Sequence, residues 1–261
     1  MTDPGKNTEV VNAFLNYLLG ESSFGGLGIQ ALADNYIWPK KKIRNSLNKD
    51  PDPFLVAPEK FFLKSFRISD FKSNVMLKKA APTAWKRTKE KQEFAVWIVS
   101  KWGGINERRF KSGTIDSYTC SILEKDYPSQ FGGVASYSKI LTATDPNKFA
   151  IYDARVAASL NAIQLLAGIT AGVAFPQPAG QNKTIERIKH LIAPKALRAR
   201  GWSVIPKPNC YKSYCSFLTL LSEKMSNCPL YEVEMALFAD AEHLAKRLEQ
   251  KTLARLQTPS Q

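Results

Sequence analysis

One aspartate is set apart from the chain's other acids by what surrounds it. Asp153 closes residues 141–153, LTATDPNKFAIYD, and is followed at once by Ala154-Arg155-Val156. The stretch reads as the end of one helix, a polar turn at Asp145-Pro146-Asn147, a short apolar connection, and an aspartate that opens a second helix. A carboxylate there accepts hydrogen bonds from backbone N–H groups, which hold it rigidly. Fixed in that way, it can stabilise a cation developing beside it or steer an attacking nucleophile. The alternative is that Asp153 only caps its helix, a role worth about 1 kcal/mol.

Upstream, Phe131-Gly132-Gly133-Val134 makes a compact turn between two helical patterns. Glycines let a backbone approach an anion closely and present N–H donors at a helix N-terminus. Ser136, Ser138 and Lys139 follow and can add contacts to a phosphate, and so can Arg155. Each has a plain counterpart: an ordinary interhelical turn for the glycines, an exposed or salt-bridged side chain for Arg155.

Elements must position these residues, and helical periodicity dominates the chain. Val10, Val11, Phe14, Leu15, Leu18 and Leu19 form one apolar stripe ending at Gly20; Phe94, Trp97, Ile98 and Trp102 form another, ending at Gly103-Gly104. Residues 21–58 read as a long loop with one short helix near 27–35, and 59–80 as a helix pair broken at Ser69-Asp70. Asp116 can cap a helix to about residue 125, and 128–134 supplies the turn. Further helices are expected over 135–144, from Asp153 through Gln164, and from Thr184 to a stop at Pro194. A basic connector over 195–209 then leads to two closing helices around Tyr211–Met225 and Glu234–Leu248. Alternating strand-like segments are nearly absent, so the expected class is all-α. No repeat of solenoid length is evident.

Composition narrows the partners. Lys and Arg number 37 against 23 Asp and Glu, for a formal net charge of +14 and a pI near 9.6. Such an excess favours an anionic partner, through counterion release if that partner is nucleic acid. Residues 60–91 alone hold ten basic residues and two acids, Asp70 and Glu90, among aromatic side chains. Lys40, Lys41, Lys42 and Arg44 form a second basic group. No stretch approaches the roughly 20 apolar residues of a membrane helix, and the N-terminus lacks the pattern of a signal peptide. A cytoplasmic protein with no membrane partner is the expectation. Cys120, Cys210, Cys215 and Cys228 contain no CxxC pair, and His190 and His243 add no ligand cluster, so reduced thiols and no metal are expected.

A glycine-bearing hairpin followed at this distance by an aspartate opening a helix resembles the helix-hairpin-helix DNA glycosylase superfamily. Ile151-Tyr152-Asp153-Ala154-Arg155-Val156 stands where those proteins carry a pattern like V-D-x-x-V. The connector 141–153 is similar in length, and in its Asp-containing turn, to that of 8-oxoguanine glycosylases. Trp97 to Ile105 (WIVSKWGGI) and Tyr211 to Phe238 resemble segments of bacterial 8-oxoguanine-glycosylase-like proteins. The hairpin departs from the usual L-P-G-V-G-x-x-T/K-A form. The position of the family's Schiff-base lysine falls on or near Val134, with Lys139 about one and a half turns further along. No iron–sulphur motif is present, and residues 21–93 have no counterpart.

The resemblance implies an all-α, bilobal helix-hairpin-helix glycosylase fold with DNA in the groove between lobes. The catalytic lobe would span 101–200, the second lobe 1–100 with 201–251, and 252–261 would be a disordered tail. It implies hydrolysis of an N-glycosidic bond, with Asp153 stabilising the oxocarbenium sugar and directing water, and an abasic site as product. Gly132, Gly133, Val134, Ser136, Lys139 and Arg155 would contact the DNA backbone. A base flipped from double-stranded DNA would rest against Trp97, Trp102, Phe110 or Trp202, although aromatics at helical spacing more often fill a core. No cofactor and no obligate protein partner is implied. The absence of a lysine at the family position favours a monofunctional enzyme, with a Lys139 lyase as the lesser reading. Glu234 and Asp240 are expected to be structural. Oxidised, alkylated and deaminated bases all remain open as substrates, as do the hypermodified bases of phage DNA. The rival reading is a non-catalytic DNA-binding module in which Asp153 is a cap alone.

Overall fold

The computed structural model describes residues 3–37 apart from 24 and 27, 70–105 apart from 90, residues 115 and 118, and 127–257 apart from 227. What it describes is almost wholly helical. Helix α1 (Thr8–Leu18) starts where Asn7 Oδ1 accepts the Val10 N–H and buries Val10, Val11, Phe14, Tyr17 and Leu18. Helix α2 (Leu32–Asn35) is one turn in the expected short-helix region. The break expected at Ser69-Asp70 is an N-cap: Asp70 Oδ1 accepts the Ser73 N–H at 2.7 Å and opens α3 (Phe71–Arg87). Helix α4 (Lys91–Trp97) runs into a π-helical turn, Ile98–Trp102, that stops at Gly103.

Helix α5 (Val134–Thr144) ends at the Asp145 turn, and α6 (Ala154–Leu166) begins at Asp153. Asn182, two residues before the expected Thr184, caps α7 (Lys183–Ile192). The expected stop at Pro194 is found: α7 ends at Ile192, Ala193 before the proline is extended, and Pro194 opens a separate short helix, α8 (Pro194–Ala199), where its missing N–H has no cost. The expected basic connector 195–209 therefore carries structure. It also holds β2 (Ser203–Val204), which pairs in parallel with β1 (Val173–Ala174), Val173 against Ser203. Helices α9 (Cys210–Lys224) and α10 (Leu230–Gln257) close the fold. Helix α10 corrects the expectation of a disordered tail from 252: it continues to Gln257, and Lys251 Nζ donates to the Leu166 carbonyl at 2.8 Å.

Helix α6 lies at the centre, buried on nearly every face, and packs along α10. Its few polar side chains are used inward. Asn161 clamps Phe175 by both backbone groups, N–H and C=O, each at 2.9 Å. Gln164 does the same for Val173 at 2.8 and 2.9 Å, and Ser159 Oγ donates to the Leu237 carbonyl. These amides substitute for a neighbouring strand and satisfy backbone groups that would be costly to bury unpaired. A single apolar core runs from Val10 through α3, α5 and α6 to Leu248, so residues of both expected lobes share one interior. Among the described residues no helix is long and apolar enough to cross a membrane.

Candidate active site around Asp153

Asp153 sits at the end of a connector held from three directions. Phe149, Ala150, Ile151 and Tyr152 are all buried, so each of their polar backbone groups needs a partner. Tyr211 Oη donates to the Ala150 carbonyl at 3.1 Å and Tyr214 Oη to the Ile151 carbonyl at 2.9 Å, both from α9. Ser138 Oγ of α5 accepts the Tyr152 N–H at 3.1 Å, and Tyr152 Oη donates to the Pro176 carbonyl at 2.6 Å. The aspartate that follows is thus placed by α5, α9 and the 173–178 segment together. Its Oδ1 accepts the Arg155 and Val156 N–H groups at 2.9 and 3.1 Å. Its Oδ2 takes no hydrogen bond from any described residue and the side chain is half-exposed. One oxygen holds the helix and the other is unengaged.

Lys139 is where the structure departs most from the sequence reading. Expected on a phosphate, it is buried at 3% exposure and donates to the Ala135 carbonyl of its own helix at 2.5 Å. The reason is that α5 is enclosed on every face there: Tyr137 to Ala143 are all buried, Lys139 among them. Burial lowers the affinity of its amine for a proton, against the opposing pull of Asp153 and then Glu234. Gly103 makes room for it, since a Cβ there would lie 2.6 Å from Lys139 Cδ.

Glu234, expected to be structural, is buried in this same neighbourhood. It ion-pairs with Lys78 of α3, while its Oε1 is buried with no hydrogen-bond partner. Burial raises its pKa, offset in part by Lys78, with Asp153 adding to the rise. Tyr36 completes the cluster. Its hydroxyl is also buried without a partner, and burial, Glu234 and Asp153 all raise its pKa. Asp240, by contrast, behaves as expected of a structural acid: it accepts Tyr17 Oη at 3.1 Å and faces His243 Nδ1 at 3.0 Å.

The hairpin divides its labour differently from the sequence reading. Gly132 and Gly133 are exposed, but only Gly133 has the left-handed backbone, φ +78°, that demands glycine. The Tyr118 hydroxyl fills the space a Cβ would take there, 1.8 Å from its ideal place. No side chain caps α5; instead the Val134 N–H goes to the Phe131 carbonyl and the Ser136 N–H to the Gly133 carbonyl, with Ser136 half-exposed at this end. Val134 itself is core. Arg155, expected on a phosphate, turns towards α10, where it pairs with Glu242 at 2.6 Å and lies over the Phe238 ring. The cations beside the hairpin are instead Lys207, over Phe131, and Lys148, over Tyr127 and Phe149. No periodic pattern marks either lysine in the sequence.

Of the aromatics expected to hold a base, Trp102 and Trp202 are corrected to core residues. Trp102 Nε1 donates to Asn74 Oδ1 at 2.9 Å, and Trp202 packs on Leu197 and Ala174 with its N–H on the Ile169 carbonyl. Trp97 is half-buried and stacked on Phe94. Phe110 and the expected Asp116 cap lie outside the described residues, as do Lys40 to Arg44. No cluster of His, Cys, Asp and Glu suited to a metal occurs among the described residues.

No protein-family model, no curated protein and no solved structure matches this chain.

Proposed function

We propose that the chain is a DNA N-glycosylase that excises a damaged or modified base. The observation that carries the reading is Asp153, a carboxylate anchored by one oxygen at the start of a buried helix, with its second oxygen unengaged. As the bond from C1′ to the base nitrogen breaks, its electron pair leaves with the base and the sugar becomes cationic. Asp153 stabilises that cation, then orients a water whose oxygen adds to C1′ and whose proton passes to the carboxylate or to solvent. The product is an abasic site. Gly132 and Gly133, flanked by Lys148 and Lys207, offer donors and charge to a phosphate backbone.

A second reading is favoured by Lys139. A buried amine with lowered basicity, electrostatically coupled to Asp153, has the properties of a nucleophile. In that reading the amine bonds to C1′ as the base leaves with the electron pair of the C1′–N bond and the amine's protons pass to Asp153 or solvent. The resulting imine then loses a C2′ proton, and the C3′–O bond breaks to release the phosphate and cut the strand.

The deciding assay measures base release and strand breaks, with and without alkali, on DNAs holding oxidised, deaminated, alkylated or glucosylated hydroxymethyl bases. Wild type and Asp153→Asn are run side by side. Asn caps a helix as well as Asp does, so the variant keeps its fold to within about 0.5 kcal/mol. Base release should fall about a hundredfold or more. Breaks appearing only after alkali support hydrolysis by water, and alkali-independent breaks with a borohydride-trapped adduct at Lys139 support the amine. Equal activity in both proteins would remove Asp153 from the mechanism, and tight DNA binding with no excision would leave a binding module.

A further inference from the structure

The amines and carboxylates gathered near Asp153 are not matched one to one. Lys78 and Glu234 form an ion pair closed to solvent on both sides. Lys139 has no such partner: it donates only to the Ala135 carbonyl, and no described carboxylate lies within 4.0 Å of its Nζ. Its place is nevertheless fixed, because its stem lies against Gly103, and α5 presents it inward. The charged groups that act on it come from three elements. They are Asp153 at the start of α6, Glu234 of α10 and Lys78 of α3: Trp102, next to Gly103, donates to Asn74 of α3, and Lys78 lies one turn beyond Asn74 on the same buried face with Glu234 bonded to it. Glu234 holds Lys78 with Oε2 and keeps Oε1 buried and unpartnered.

We propose that the Lys78–Glu234 pair is a positioning device that sets the charge on Lys139, Glu234 holding a proton on that amine and Lys78 driving one off. The two partners act with opposite sign. Loss of the Glu234 charge leaves Lys139 facing Lys78, and the amine sheds its proton more readily to solvent. Loss of the Lys78 charge leaves Glu234 unopposed, and the amine keeps its proton. A purely structural ion pair, whose removal loosens the packing, has no reason to move Lys139 in opposite directions.

The chemical consequence, though not the titration itself, rests on Asp153 and Lys139 being the reacting groups. A neutral Lys139 leaves the Asp153 charge fully directed at a developing sugar cation, and it is the form of the amine that can attack carbon. The state of Lys139 therefore governs either route of base excision.

The test is carbon-13 NMR of the full chain labelled at the lysine Cε, followed from neutral to alkaline pH. The Lys139 signal is the one absent from Lys139→Met. Glu234→Gln should move its titration about one pH unit lower than wild type, and Lys78→Met about one unit higher. Shifts of the same sign, or none in either protein, overturn the proposal. Circular dichroism checks folding. Should Glu234→Gln not fold, the Lys78→Met arm decides alone, an upward shift supporting the proposal and any other result overturning it. The titration needs no substrate, so its failure is distinct from a failure of the excision assay.

Discussion

At the scale of single residues, Asp153 and Lys139 stand in opposite relation to the fold. Asp153 caps its helix with one carboxylate oxygen, and under the proposed function the same group acts on the sugar; Asp153→Asn separates the two because it preserves the cap and removes the charge. Lys139 has the opposite character: its burial works against folding. In the unfolded chain its amine binds a proton at ordinary pH, while in the folded protein burial lowers that affinity. The folded state thus binds fewer protons, and stability is present above the unfolded pKa and lost as pH falls towards the folded one. Lys139→Met should accordingly be stabilised relative to wild type, with an advantage that grows as pH falls from about 10 towards neutrality. Urea denaturation of both proteins across that range measures it. A constant difference would mean that Lys139 stays charged in its buried site.

Among elements, the connector from α5 to α6 shows how a loop is made as rigid as a helix. Its carbonyls meet tyrosine hydroxyls from α9, and its last N–H before Asp153 meets Ser138. The far end of α6 is tied by the Asn161 and Gln164 clamps, which fix the 173–178 segment and with it the Pro176 carbonyl that holds Tyr152. Asn161→Ala leaves the Phe175 N–H and carbonyl buried and unpaired, at a cost of about 2–3 kcal/mol. The loss should appear in chemical denaturation and should be accompanied by weaker base excision, since Asp153 is positioned through the same network. A loss under about 0.5 kcal/mol would show that water replaces the amide.

For the whole molecule, the net charge of +14 becomes a testable surface. Lys148 and Lys207 lie beside the glycine hairpin, whereas Lys139 is buried and Arg155 is committed to Glu242. Binding to a duplex should weaken with salt, each lost phosphate contact reducing the log–log slope by about 0.9. Replacing Lys148 and Lys207 with alanine should lower that slope by about 2, and Lys139→Met should leave it unchanged. Fluorescence anisotropy over a salt series distinguishes the cases. An unaltered slope in the double variant would move the DNA-binding face away from the hairpin.

The sequence alone determined the features that are local. Apolar spacing of three and four marks α1, α6, α9 and α10, and the cap chemistry of Asp70 and Asp153 marks where α3 and α6 begin, because those signals depend only on neighbours within a turn. It misjudged the 252–257 segment, where a contact from elsewhere, the Lys251 bond to α6, supports helix that local composition disfavours. It also left open which face each polar residue would occupy. Lys139 and Ser138 read as surface candidates, yet the packing of α5 against α3 and the π-turn places both inside. Glu234 reads as one polar residue in an apolar helix, and only the approach of α3 and α6 to α10 sets it among Lys78, Lys139 and Asp153. Lys78 stands 61, 75 and 156 positions before Lys139, Asp153 and Glu234, each on a separate helix or at its start, so no local rule could join them. Burial made them interact, and burial is a property of the tertiary fold.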